Sequence, residues 1–412
     1  MSDTVSVDEK RLWADLMTMS RIGRLPGGGA ARIALSDADR DARSLFILWC
    51  EQAGLDVSVD QIGNIFARRE GRNPALAPVL IGSHLDTQAP GGHFDGVLGV
   101  LGALEAVRAM NDAGIVTERP VVIVNWTDEE AVRYWPGMLG SSVFCGFMSL
   151  DEAYSIRGPD GSTVGAELAR IGFVGARPAE FSVIHKHFEL HIEQGSRLED
   201  AGRQVGIVTH TNCTRFAAIE FVGRNSHAAT TPMHQRRNAL AGAGRLIAAI
   251  ERVGASEGPE GSASAVKLDI EPNNHVNLPN RTVLWYVVNH PDRQPFDRMV
   301  ASIEAEARTV AAEQGLTVET ISEWRSDPVH FPEATIGLLE GAATDLALPV
   351  MRMHSIAAHD AMVVAKRAPT GMIFVPCRDG LSHNELEFCS PEDAAAGASV
   401  LATATVRAAN EA

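Results

Sequence analysis

The run Val121-Val122-Ile123-Val124-Asn125-Trp126, which leads into Thr127-Asp128-Glu129-Glu130, constrains this chain most. An apolar, β-branched hexad following Pro120 reads as a buried strand. In open α/β sheets ligands gather beyond the carboxyl ends of the strands, which is where these acids fall. Neighbouring carboxylates there repel one another unless something positive sits close by. Taken alone, the segment reads equally well as a solvated loop with surface acids.

Other segments end the same way. Pro78-Val79-Leu80-Ile81-Gly82-Ser83 is an apolar strand ending in His84, with Asp86 two residues on. Period-two geometry puts His84 and Asp86 on one side. A metal-bound imidazole gives its other N–H to a carboxylate, a task Asp86 suits; a capped turn is the plain alternative. In Gly91-Gly92-His93-Phe94-Asp95-Gly96 an aspartate among glycines precedes a helix through Leu101, Leu104, Val107 and Met110. Asp95 there is either a helix N-cap or a carboxylate that bridges two cations, and the glycines imply a close approach of the backbone to something. The strand around Phe188–Gly195 carries His191 and Gln194, a neutral donor and acceptor suited to an amide or urea group. After the strand Gly371–Pro376, the loop Leu381-Ser382-His383-Asn384 supplies another imidazole. Leu25-Pro26-Gly27-Gly28-Gly29 reads as a loop, either approaching a ligand or simply mobile. Three imidazoles (His84, His191, His383) and two carboxylates (Asp95, Glu130) suit two divalent ions sharing one carboxylate, although a lone histidine is more often an ordinary polar residue.

At 412 residues the chain exceeds one compact core, so two domains are expected. From about residue 214 the pattern becomes strand, helix, two strands, helix, strand, a two-layer domain inserted into the first. The expected boundaries are 1–213 and 329–412 for the outer domain and 214–328 for the insert. The fold class is therefore α/β, a larger domain with an α+β two-layer domain inserted in it. A net charge of −16 disfavours nucleic acid and anionic membrane as partners. No apolar run is long enough to span a bilayer, and Met1-Ser2-Asp3-Thr4 shows no basic, apolar leader. The five cysteines are odd in number and form no Cys-x-x-Cys pair, which fits thiols in a reducing cytoplasm.

The strings Gly82-Ser83-His84-Leu85-Asp86-Thr87, Phe94-Asp95-Gly96-Val97-Leu98-Gly99-Val100, Asp128-Glu129-Glu130, Glu189-Leu190-His191-Ile192-Glu193-Gln194-Gly195, Thr230-Thr231-Pro232-Met233 and Leu381-Ser382-His383-Asn384 resemble the M20 metallopeptidase-like amidohydrolases. The match is to the hydantoinase/carbamoylase branch, with its N-carbamoyl-L-amino-acid hydrolases, β-ureidopropionases and allantoate amidohydrolases. It runs from about Gly27 to the C-terminal helix. The resemblance implies a mixed-sheet catalytic domain with the inserted α+β domain as its lid, two divalent ions per subunit (zinc, manganese, cobalt or nickel), a small-molecule substrate and a homodimer formed through the inserted domain. By matching position one ion takes His84, His191 and Asp95, and the other Asp95, Glu130 and His383. Glu129 matches the general base and Asp86 the acid behind His84. His227 matches a lid residue that reaches the partner subunit's site and steadies an oxyanion. Gln194, Asn277 and His359 fall at substrate-binding positions.

One stretch departs from the family. Val287-Val288-Asn289-His290-Pro291 has asparagine where the branch carries an arginine for the substrate carboxylate. An amide does not replace a bidentate guanidinium–carboxylate pair. Arg215 could offer a cation instead, or serve only in a salt bridge. The leading expectation is metal-dependent hydrolysis of a C–N bond in a small N-carbamoyl or N-acyl amino-acid-like compound. The alternatives are the same machinery on another amide or an aromatic amine, and a metal-binding scaffold without catalysis.

Overall fold

The computed structural model describes residues 4–411. The chain divides into two compact units. The larger takes the chain up to His210, His330–Ser355 and the segment from His359 on; the smaller takes Thr211–Val329 and Ile356–Ala358.

An eight-stranded mixed sheet forms the larger unit. Its order is Asp56–Val59, Ile65–Arg69, Val121–Trp126, Val79–His84, Lys186–Ile192, Thr370–Val375, Val205–Thr211, Val350–Ser355. The four central strands, ending at Trp126, His84, Ile192 and Val375, are mutually parallel. Three of them are buried at every residue, and only Lys186 breaks the pattern in the fourth, so they read as continuous apolar runs rather than alternating ones. Antiparallel strands flank them: Ile65–Arg69 beside Val121–Trp126, and Val205–Thr211 beside Thr370–Val375. Helices Val97–Asp112 and Pro391–Ala409 are buried along most of their length. The second starts on a Ser390 cap with Pro at the first turn, Glu392 and Asp393 behind it, and Arg407 near its end, each placed to suit the helix dipole.

The smaller unit has the expected order of elements. Its four-stranded antiparallel sheet runs Thr317–Ser326, Cys213–Val222, Arg281–His290, Ser262–Glu271. Helices Ala239–Ser256 and Arg293–Gln314 share a core with it through Phe221, Leu246, Ile250, Tyr286, Phe296 and Ile303. A two-stranded ribbon, absent from the sequence reading, pairs Ser226–His227 with Asn277–Leu278.

Behind the parallel strand ends lies a fully buried ion pair. Arg43 Nε donates to Asp39 Oδ2 at 2.8 Å, and both side chains have zero exposure. The same guanidinium reaches Gly63 O at 2.7 Å and Thr127 Oγ1 at 3.3 Å, tying the helix Asp37–Gln52 to the start of the acid-rich turn. Removing one partner of such a pair strands the other as an uncompensated buried charge. Arg43→Ala is therefore expected to lower the free energy of unfolding by about 3–5 kcal/mol, read as a drop in the urea midpoint; a loss within experimental error would show that the pair is dispensable.

Candidate metal centre and active site

The carboxyl ends of the four parallel strands bring the scattered histidines and acids together. His191 Nε2 lies 3.1 Å from Asp95 Oδ1, and His84 Nε2 lies 3.7 Å from the same oxygen. His383 Nε2 lies 3.2 Å from the other oxygen, Asp95 Oδ2, and 3.4 Å from Glu130 Oε2. Donor atoms of His84, Asp95 and His191 all fall within 4.8 Å of one another, as do those of Asp95, Glu130 and His383. Asp95 is thus common to both groups and offers one oxygen to each. It is not the helix N-cap: that position is Gly96, at φ +66°, and no side chain caps this helix. A Cβ at Gly96 would lie 2.3 Å from the His84 ring, so only glycine lets the Asp95 loop approach this closely.

Backbone carbonyls orient two of the imidazoles. His84 Nδ1 donates to Asp86 O at 2.9 Å and His191 Nδ1 donates to Ile192 O at 3.0 Å, which turns both Nε2 atoms toward Asp95. Asp86 supports His84 through its backbone carbonyl rather than its carboxylate, which is 3.8 Å away. The carboxylate instead accepts from the N–H groups of Glu129 (3.4 Å) and Glu130 (3.2 Å), fixing the turn that carries them. Glu130 is held further by Gln88, whose Nε2 donates to Oε2 at 2.8 Å. Glu129 Oε2 lies 3.6 Å from His84 Nε2, beside both groups of donors.

Negative charge is crowded here. Burial, then the neighbouring Glu130, Asp360 and Asp95, push the Glu129 carboxyl well above the usual range. Burial and Asp95 raise Glu130 to about 8, and burial with Asp39 raises Asp86 to about 7. Burial opposes charge on Asp95 as well, yet His191 and His383 hold it well below the usual range. His383 and His191 are raised to about 9, their burial outweighed by these acids. His84 is drawn down to about 4 by burial, and its Nε2 is buried with no hydrogen-bond partner among the described residues. An inward-facing imidazole nitrogen without a partner, among buried carboxylates that resist ionisation, is a donor set that fits divalent cations.

The remaining expected residues fall into two sets. In the larger unit, Gln194 (φ +60°) donates from Nε2 to Asp95 Oδ2 at 2.8 Å, so its amide N–H serves Asp95 and its buried Oε1 has no partner among the described residues. His359 is buried with its ring 4.4 Å from that of His191. A third grouping, Glu189 with His191 and His359, has its carboxylate already committed to Ser83 Oγ (2.6 Å) and Ala361 N (2.8 Å). In the smaller unit, His227 and Asn277 are register partners in the ribbon. His227 Nδ1 accepts from the N–H groups of Ala229 (3.1 Å) and Thr230 (3.2 Å), which leaves the ring proton on Nε2. Asn289 Oδ1 accepts from Thr214 Oγ1 at 2.6 Å. Arg215 is buried and engaged: Glu304 and Glu323 each lie 3.0 Å away and Tyr286 Oη accepts at 2.6 Å. Its charge is neutralised within its own unit, so the salt-bridge role fits it and a free cation for substrate does not. Sequence reasoning missed Glu387, which is buried against Asp95, and Ser382, which lies between them.

Known proteins share this arrangement of motifs. The model of Peptidase family M20/M25/M40 matches residues 80–407. An N-carbamoyl-L-amino-acid amidohydrolase of Rhizobium meliloti is 44% identical over 395 residues, covering 96% of this chain and 95% of its own. A ureidoglycolate hydrolase of Arabidopsis thaliana is 32% identical over 412 residues, covering 97% and 87%. The crystal structure of an amidase of the hydantoinase/carbamoylase family from Burkholderia vietnamiensis matches with a TM-score of 0.96 at 42% identity, covering 100% of both chains. Family model, relatives and fold agree: the chain belongs to the peptidase family M20/M25/M40.

Proposed function

We propose that the chain is a metal-dependent amidohydrolase that cleaves a C–N bond other than a peptide bond, in a small N-carbamoyl or N-acyl amino-acid-like compound. The observation that carries the reading is Asp95, placed between two imidazole groups with Glu129 beside it. The relatives named for N-carbamoyl-L-amino acids and ureidoglycolate support the ureido class of substrate.

On this reading His84, His191 and Asp95 hold one divalent cation, and Asp95, Glu130 and His383 the other; zinc, manganese, cobalt and nickel all suit such mixed donors. Bound there, the cations supply Lewis acidity, which polarises a carbonyl and acidifies water. Glu129 takes the proton of the attacking water and delivers it to the leaving nitrogen, the base-then-acid exchange of amide hydrolysis. A carboxyl whose proton affinity is raised by burial and like charge suits that exchange. His227, with its proton fixed on Nε2 by two backbone amides, is a ready donor for the developing oxyanion, reaching it from the partner subunit of a homodimer formed through the inserted unit. Asn277, its register partner, and Gln194 contact the ureido or amide group, and His359 lines the site beside His191. Asn289 takes the place of a carboxylate-gripping cation, which favours substrates whose recognition does not depend on an α-carboxylate. Among the described residues no helix is long and apolar enough to cross a membrane. The five cysteines are buried and unpaired, in keeping with work in a reducing cytoplasm.

Three measurements test this. Glu129→Gln is expected to cut kcat by about 10²–10⁴-fold with cation content by atomic spectroscopy unchanged; full activity would remove Glu129 from its role. Across a panel of N-carbamoyl amino acids, ureido acids, N-acyl amino acids and aromatic amines, turnover is expected for a ureido or N-acyl compound. Turnover confined to the amines would favour the second reading, motivated by Asn289. Finally, His227→Ala and Glu129→Gln should each be inactive alone, and hybrid dimers of the two should regain turnover; hybrids that stay inactive would place His227 outside the partner's reaction.

A further inference from the structure

We infer that Glu387 is a positioning residue of the cation site: its carboxylate clamps the loop carrying Asp95 to the loop carrying His383 and so sets the spacing of the two donor groups. The inference rests on the metallohydrolase reading above.

The segment around it is solvent-facing, with Leu386 60% exposed, yet Glu387 itself is only 4% exposed. Its Oε1 accepts from two backbone donors, Phe94 N at 2.9 Å and Asp95 N at 3.1 Å. Its Oε2 accepts from Ser382 Oγ at 3.1 Å, next in sequence to His383. The Ser382 hydroxyl lies equally close, 3.0 Å, to Asp95 Oδ2. One hydroxyl proton cannot serve both oxygens at once, so Glu387 and Asp95 share it. Both arms of Glu387 therefore end on Asp95, one on its main chain and one through Ser382 on its side chain. The loop is closed behind it by Arg378 N donating to Phe388 O at 2.9 Å.

The opposite loop is shaped to admit this carboxylate. A Cβ at Gly92 would lie 2.0 Å from Glu387 Cδ, so any side chain there would expel it. Gly92 thus makes room for an acid from a segment almost 300 residues away, while its neighbour Gly91 packs on the backbone of Gln88.

Packing alone does not account for one buried carboxyl set against another, because two such groups resist being ionised together. The arrangement becomes favourable once positive charge sits among the donors. That gives the clamp a signature that an ordinary structural residue lacks: neutralising Glu387 should relieve the cation-free protein while weakening its hold on cations.

The test uses the full chain stripped with chelator and titrated with Zn²⁺ against a chromophoric competitor. Glu387→Gln keeps the shape and one acceptor. It should lose about 10–100-fold in Zn²⁺ affinity while the cation-free Tm holds or rises. Ser382→Ala should lose affinity in the same direction by less. Gly92→Ala, which leaves Glu387 in place chemically but displaces it, should reproduce the loss and carries the test with Ser382→Ala if Glu387→Gln does not fold. A lower cation-free Tm with affinity of the folded protein unchanged would mark a structural residue and overturn the inference. A wild-type protein that takes up no Zn²⁺ overturns the metallohydrolase reading and this inference together. Wild-type uptake matched by the variants overturns this inference alone.

Discussion

The carboxylate of Asp95, held between His191 on one oxygen and His383 on the other, is the contact on which the site depends. Everything nearby restrains it. Gly96 lets its loop lie against the His84 ring, Gln194 and Ser382 hydrogen-bond its outer oxygen, and Glu387 fixes its backbone. The surrounding acids are costly to keep ionised so close together, and they hold their protons more tightly for it. The ion pair of Asp39 and Arg43, tied to the same turn through Thr127, is charge balanced within the protein.

The sheet supplies the rigidity this requires. Each of the four parallel strands delivers its donors at or beyond its carboxyl end, and the order in space, Trp126, His84, Ile192, Val375, differs from the order in sequence by the exchange of the first two strands. The donors and Glu129 stand in the larger unit, while His227, Asn277 and Asn289 stand in the inserted one. On the proposed reading, a change such as asparagine at 289 would alter what is bound without disturbing the donors.

Much of this was legible in the sequence, for identifiable reasons. Val121–Trp126 and Thr370–Val375 are buried on both faces, and continuous apolar runs advertise that. Ile65–Arg69 and Val350–Ser355, which mix apolar residues with arginine or histidine, gave no such run and escaped notice, as did Asp56–Val59, a four-residue edge. The helix Glu333–Asp345 carries two glycines and little periodicity. Asp95 could be narrowed to a cap or a bridge, but the choice needed Gly96 in place. The glycines around residue 92 correctly announced a close approach. Nothing local, though, distinguishes exposed Glu385 from buried Glu387, because the difference lies in hydrogen bonds to residues some 290 positions away. Arg215 was ambiguous for the same reason: Glu304 and Glu323 are remote in sequence.

The position of Thr370–Val375 has a bearing on biosynthesis. It is a late strand, yet it sits inside the sheet, hydrogen-bonded to Lys186–Ile192 on one side and Val205–Thr211 on the other. A chain emerging from the ribosome exposes those two neighbours long before the strand that joins them exists. The inserted unit, wholly contained between them and that strand, is synthesised in the interval. The loop bearing His383 follows later still, so a nascent chain presents both groups of donors only after the inserted unit and this strand have been made.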